Sequence, residues 1–114
     1  MTKEERINLL KKACEEALKR DPEVLEGKEI VYSKNSGKQW EEDNFLEFMN
    51  VPKNEVRICI SSIANDMYRI IISKNMRWKL ANEYITKRIK EKNADILVSS
   101  RSLDEDILRF TVTF

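Results

Sequence analysis

Two neighbouring segments alternate apolar and polar side chains with a period of two residues, and this feature limits the fold more than any other. The segments are residues 55–63 and 67–73, and both are rich in β-branched residues. Successive side chains of a strand point to opposite faces, so this period predicts two strands, each with one apolar face. The alternating apolar positions are Val56, Ile58, Ile60, Tyr68, Ile70 and Ile72. The short connection over residues 64–66 predicts that the two strands form a β-hairpin.

A second hairpin is predicted at the end of the sequence. Residues 95–101 and 107–113 are its strands, and residues 102–105 have the composition of a turn. In the last strand every second residue is apolar, namely Leu108, Phe110, Val112 and Phe114. Burial of such side chains stabilises a strand, so we expect it to pair with residues 95–101 of the same chain. The alternative is pairing with a strand edge of a second copy.

Two longer segments carry apolar residues at steps of three and four, the spacing of an amphipathic helix. The helices are predicted over residues 3–20 and 76–92, and their apolar stripes are Ile7, Leu10, Cys14, Ala17, Leu18, Trp78, Ala81, Ile85 and Ile89. Thr2 and Glu5 have the spacing of a capping box at the start of the first helix. Asn93 suits the left-handed residue that ends the second helix.

Two shorter elements complete the predicted order, α-β-α-β-β-α-β-β. Residues 29–33 form a strand candidate, and Phe45, Phe48 and Met49 fit one face of a short helix that ends before Pro52. We therefore expect an α+β fold with an antiparallel sheet of about five strands. Two long helices and the short helix are expected on one face of it. Without its first helix and last strand, the order is that of a ferredoxin-like core.

Composition predicts a single α+β domain over residues 1–114. The apolar share of 41% is enough to form a core, and the many charges nearly cancel to a net charge of +1. We expect no membrane partner, because no run approaches the roughly 20 apolar residues of a transmembrane helix. The beginning of the sequence lacks a signal-peptide pattern, so a cytoplasmic location is expected. Cys14 and Cys59 are expected to be buried core residues rather than a disulfide.

Several kinds of catalytic site are excluded by the residues that are missing. The sequence contains no histidine, which rules out imidazole ligation and serine or cysteine triads that use histidine. Its two glycines, Gly27 and Gly37, are isolated, so no phosphate-binding loop is formed. We therefore expect no enzyme, no catalytic residue, no metal and no cofactor. The enzyme alternative would need a divalent cation bound by Glu41, Glu42 and Asp43.

Residues 38–51, here called the acidic-aromatic segment, are the first candidate interaction site. Aromatic side chains within a charged rim are typical of the centres of protein interfaces. The candidate partner-binding residues are Trp40, Glu41, Glu42, Asp43 and Phe45.

Residues 69–92, here called the basic segment, are the alternative site. They hold eight basic and two acidic residues, a local charge of +6. Clustered Lys and Arg side chains contact phosphates, so the segment could bind RNA or DNA. The candidate nucleic-acid-binding residues are Arg69, Lys74, Arg77, Lys79, Lys87, Arg88 and Lys90.

The sequence favours a small non-enzymatic binding protein that acts through a protein–protein surface. On composition alone it suits an adaptor, inhibitor or accessory factor of the type that phages and mobile elements encode. Its partner is expected to be a protein, with nucleic acid as the alternative, and the chain itself is expected to be a monomer or a homodimer.

Overall fold

The computed structural model describes residues 1–20, 25–33, 51–73, 78–102 and 107–114, with the backbone alone at 78–81 and 98–102. Within these ranges the elements follow the order α-β-β-β-α-β-β. Their bounds are α1 Lys3–Lys19, β1 Glu29–Tyr32, β2 Glu55–Ala64, β3 Met67–Ile72, α2 Trp78–Glu91, β4 Asp95–Ser102 and β5 Ile107–Thr113. The predicted short helix around Phe45, Phe48 and Met49 lies outside the described residues.

The five strands form one mixed sheet in the order β1-β2-β3-β5-β4. Both predicted hairpins are confirmed, because β2 pairs with β3 and β4 pairs with β5, each antiparallel. The prediction of a purely antiparallel sheet is wrong, because β1 runs parallel to β2. A parallel pair needs a crossover connection of about a dozen residues or more, and residues 33–54 are long enough to provide one.

The order of the strands also excludes the predicted ferredoxin-like core. In a split β-α-β arrangement another strand lies between the two parallel strands. Here β1 and β2 are direct neighbours, and β5 lies between β3 and β4. The final strand is therefore an interior strand of the sheet, paired on both sides within its own chain.

Helices α1 and α2 both pack on one face of the sheet, here called the helix face. The predicted apolar positions of β2, β3 and β5 meet the two helices there in one buried core. Its fully buried large side chains include Leu10, Leu18, Ile58, Ile60, Tyr68, Ile70, Ile72, Ile85, Ile89 and Phe110. Of the stripe predicted for α2, Ile85 and Ile89 are confirmed as buried, whereas the side chains of Trp78 and Ala81 are outside the described part.

The opposite side of the sheet, here called the second face, holds a smaller buried cluster of Cys59, Ile71 and Ile107. These residues alternate along their strands with residues of the helix-face core. Cys14 lies in the helix-face core, so the sheet separates the two cysteines, and neither forms a disulfide. The prediction of two buried cysteines without a disulfide is confirmed.

Local sequence signals account for the start of α1 and the end of α2. At the start of α1, the Thr2 hydroxyl oxygen accepts a hydrogen bond from the Glu5 backbone N–H at 3.1 Å, as the capping box predicts. The Glu5 carboxylate accepts from the Thr2 hydroxyl instead of from the Thr2 backbone. After α2, Asn93 has a φ of +62°, which is the left-handed conformation that ends a helix.

Candidate interaction surface

Residues 38–50 of the acidic-aromatic segment lie outside the described residues. Trp40, Glu41, Glu42, Asp43 and Phe45 all lie outside the described residues. They stay predictions made from the sequence.

The basic segment is divided between the two sides of the sheet. Arg69 pairs with Ser61 on β2, and its neighbours Tyr68 and Ile70 belong to the helix-face core, so Arg69 lies on the second face. Helix α2 packs on the helix face through Ile85 and Ile89. The sheet therefore stands between Arg69 and the basic residues of α2. Lys74, Arg77 and the side chain of Lys79 lie outside the described part.

The basic residues of α2 are accompanied by carboxylates. Lys87 and Lys90 are exposed, but Glu83 and Glu91 are exposed on the same helix. Arg88 donates to Glu91 at 2.7 Å. Glu83 and Lys87 have the i, i+4 spacing that favours attraction along a helix. The described part of α2 therefore presents mixed charge to solvent.

Near the C-terminal end of α2, a further cation is engaged by the neighbouring helix. The ammonium group of Lys92 lies 3.6 Å from a carboxylate oxygen of Glu16 on α1. This ion pair bridges the two helices on the helix face. It also leaves one cation fewer for a ligand.

The two edge strands of the sheet differ in length. β1 has four residues and β4 has eight. On its inner side β4 pairs with β5, and none of the described strands pairs with its outer side. The five residues between Asp95 and Arg101 carry no charge and include no proline. Charged residues and proline commonly protect edge strands, and residues 96–100 of β4 lack both.

Leu97 lies at the one irregular position of β4. The pairing of β4 with β5 shifts between Ile96 and Val98, so Leu97 is the additional residue of a β-bulge. Its residue exposure is 52%, and among the described residues only Met1 is another large hydrophobic residue that is exposed. The sequence contains a signal for this feature, because three successive apolar residues break the alternation of the strand. We did not predict an interaction site there.

A polar cleft of about 370 Å³ lies beside the β2–β3 turn, where Lys3, Arg6, Ser62, Asp66 and Tyr68 are among its lining residues. Arg6 forms an ion pair with Asp66, and the hydrogen bond between them raises the pKa of Arg6. The Arg6 guanidinium also lies 5.3 Å from the centre of the Phe114 ring. These contacts engage Arg6 within the protein, and they tie α1 to the β2–β3 turn and to the residue after β5.

Another group of contacts lies near the start of β2 and at Ser73, the residue that follows β3. The Arg57 backbone N–H donates to the Ser73 hydroxyl oxygen at 2.7 Å. The Ser73 backbone N–H donates to the Arg57 carbonyl at 2.9 Å. The Arg57 guanidinium donates to the Glu55 carboxylate at 3.0 Å. The first two contacts connect the start of β2 to the residue that follows β3.

The described residues contain no group of three or more cysteine and acidic side chains that could hold a metal ion. Burial raises the pKa of the Cys14 thiol to about 12, and the nearby Glu15 carboxylate adds to the effect. A thiol with so high a pKa is a poor nucleophile near neutral pH.

In the part of the chain that the structure covers, no helix is both long and apolar enough to cross a membrane. No protein-family model matches the sequence, and a search of the curated proteins finds no significant match.

Proposed function

We propose that the chain is a small non-enzymatic binding protein, such as an adaptor, inhibitor or accessory factor, that acts through a protein–protein surface. The observation that carries this proposal is the long outer edge of β4, whose residues 96–100 carry no charge and where Leu97 is exposed. The residues Trp40, Glu41, Glu42, Asp43 and Phe45 remain additional proposed contacts with the partner.

The outer edge of β4 suits an extended segment of a partner protein. An edge strand presents unpaired backbone N–H and C=O groups, which a second strand satisfies by hydrogen bonding. The bulge at Leu97 interrupts the regular edge, so the added strand is expected to pair with residues 98–102. An antiparallel orientation is favoured, because antiparallel pairing is slightly more stable per residue. Leu97 then supplies an apolar contact beside the new strand.

The non-enzymatic part of the proposal is supported by the sequence as a whole. Without histidine, the chain lacks the side chain whose ordinary pKa best suits proton transfer near neutral pH. Cys14, a potential nucleophile, is fully buried and keeps its proton.

Substitution of Leu97 by Lys tests the protein-binding surface. Lysine on an edge strand discourages strand addition, and the exposed position tolerates the change. The tagged full chain is used to capture proteins from an extract of its source organism, with quantification by mass spectrometry. Proteins captured by the original chain are expected to fall about tenfold with Leu97→Lys, which corresponds to roughly 1.4 kcal/mol of binding free energy.

Asn8→Lys is the matched control, because Asn8 is exposed on α1 and the variant gains the same charge. Both variants should keep the thermal unfolding curve of the original chain. The proposal is wrong if both variants capture the same proteins in equal amounts.

Nucleic-acid binding is the competing outcome, and Lys87→Glu with Lys90→Glu tests it. Both residues are exposed, so the fold should tolerate the change. Fluorescence anisotropy with labelled RNA and duplex DNA is measured over a series of salt concentrations. Phosphate binding weakens steeply as salt is raised, whereas an apolar interface does not. Steeply salt-dependent binding that the double variant loses would support the alternative and contradict the protein-binding proposal.

A further inference from the structure

We draw no further inference here: the strongest candidate, the buried cluster on the second face of the sheet together with the arginines that flank it, carries nothing because the described part of the chain does not show what covers that face.

Discussion

Tyr32 connects the shortest strand to the first helix. Its hydroxyl donates to the Glu15 carboxylate at 2.7 Å and lies 3.2 Å from the Lys11 carbonyl oxygen. The Lys11 ammonium lies 4.9 Å from the centre of the Tyr32 ring. β1 has a strand neighbour only in β2 among the described strands, so these side-chain contacts add a second attachment, to α1.

Tyr32→Phe is expected to lower the free energy of unfolding by about 1.5–3 kcal/mol, the usual net value of a hydrogen bond to a charged group. The ring and its contact with Lys11 are retained, so the loss reports the hydroxyl alone. Urea unfolding followed by circular dichroism measures the change. Tyr84→Phe is the control, because the described residues give its hydroxyl no hydrogen bond, and it should change stability little. Equal effects of the two substitutions would contradict the expectation.

Cys14 should make stability depend on pH in the alkaline range. The thiol pKa is raised from 9.0 to about 12 in the folded chain. Between these values the unfolded thiol loses its proton while the folded one keeps it, so stability falls as pH rises. The loss approaches about 1.4 kcal/mol per pH unit for such a group. Urea unfolding at several pH values should give a steeper decline for the original chain than for Cys14→Ala.

The substitution Cys14→Ala also leaves a cavity, which lowers stability at every pH. The comparison therefore uses the slopes and not the absolute values. Parallel slopes for the two proteins above about pH 9 would show that the thiol is not protected by burial.

Single-residue contacts were the least predictable part of the molecule. The capping residues of α1 are close in sequence, and their spacing is a recognised pattern. Arg6 and Asp66 are distant in sequence, and no local pattern connects them. Their contact depends on how α1 crosses the sheet, which a single sequence does not specify. For the same reason, the sequence identified the basic segment but did not show that Arg69 and the basic residues of α2 lie on opposite sides of the sheet.

At the scale of elements, local periodicity was sufficient to predict the two hairpins and the two long helices from the sequence. Alternation with a period of two identifies the buried face of β2, β3 and β5 because one side of each strand meets the helices. The direction of β1 was not predictable, because the residues of a four-residue strand do not indicate whether it runs parallel or antiparallel to its neighbour. The length of the connection between β1 and β2 permits the parallel pairing but does not require it.

Phe110 and Leu97 should differ strongly in their effect on stability, although they lie on neighbouring strands. Phe110 is completely buried on an interior strand of the sheet, whereas Leu97 is 52% exposed on an edge strand. Phe110→Ala is expected to cost about 3–5 kcal/mol because it removes a large side chain from the core. Leu97→Ala should change stability by no more than about 0.5 kcal/mol.

Urea unfolding of the two alanine variants checks this difference. A similar loss for both would mean that Leu97 packs inside the domain, and its use as a binding residue would then be untenable. A small loss for Phe110→Ala would contradict the interior position of β5.

At the scale of the whole molecule, the sequence predicted that the sheet has five strands but not the order in which they lie side by side. The pairing of β4 with β5 follows from a short connection, as in any hairpin. The pairing of β5 with β3 joins two hairpins that are separated by α2, and nothing in the local pattern selects it. Because of this pairing β4 is an edge strand, and its outer edge with Leu97 becomes the candidate interaction surface.

Deletion of residues 108–114 tests whether the last strand is essential to the fold. β5 is hydrogen-bonded to β3 on one side and to β4 on the other, so its loss leaves β4 with no neighbour among the described strands. Leu108, Phe110 and Val112 are buried, and burying each stabilises by about 1.5–3 kcal/mol. Their sum is comparable with the total stability of a typical domain, roughly 5–15 kcal/mol. The shortened chain should therefore be insoluble or lack cooperative thermal unfolding at every concentration.

A synthetic peptide of residues 107–114 added in trans serves as the control and should restore structure. If the shortened chain instead unfolds cooperatively as a monomer while the full chain sediments as a dimer, the strand is an assembly element and its interior position is wrong.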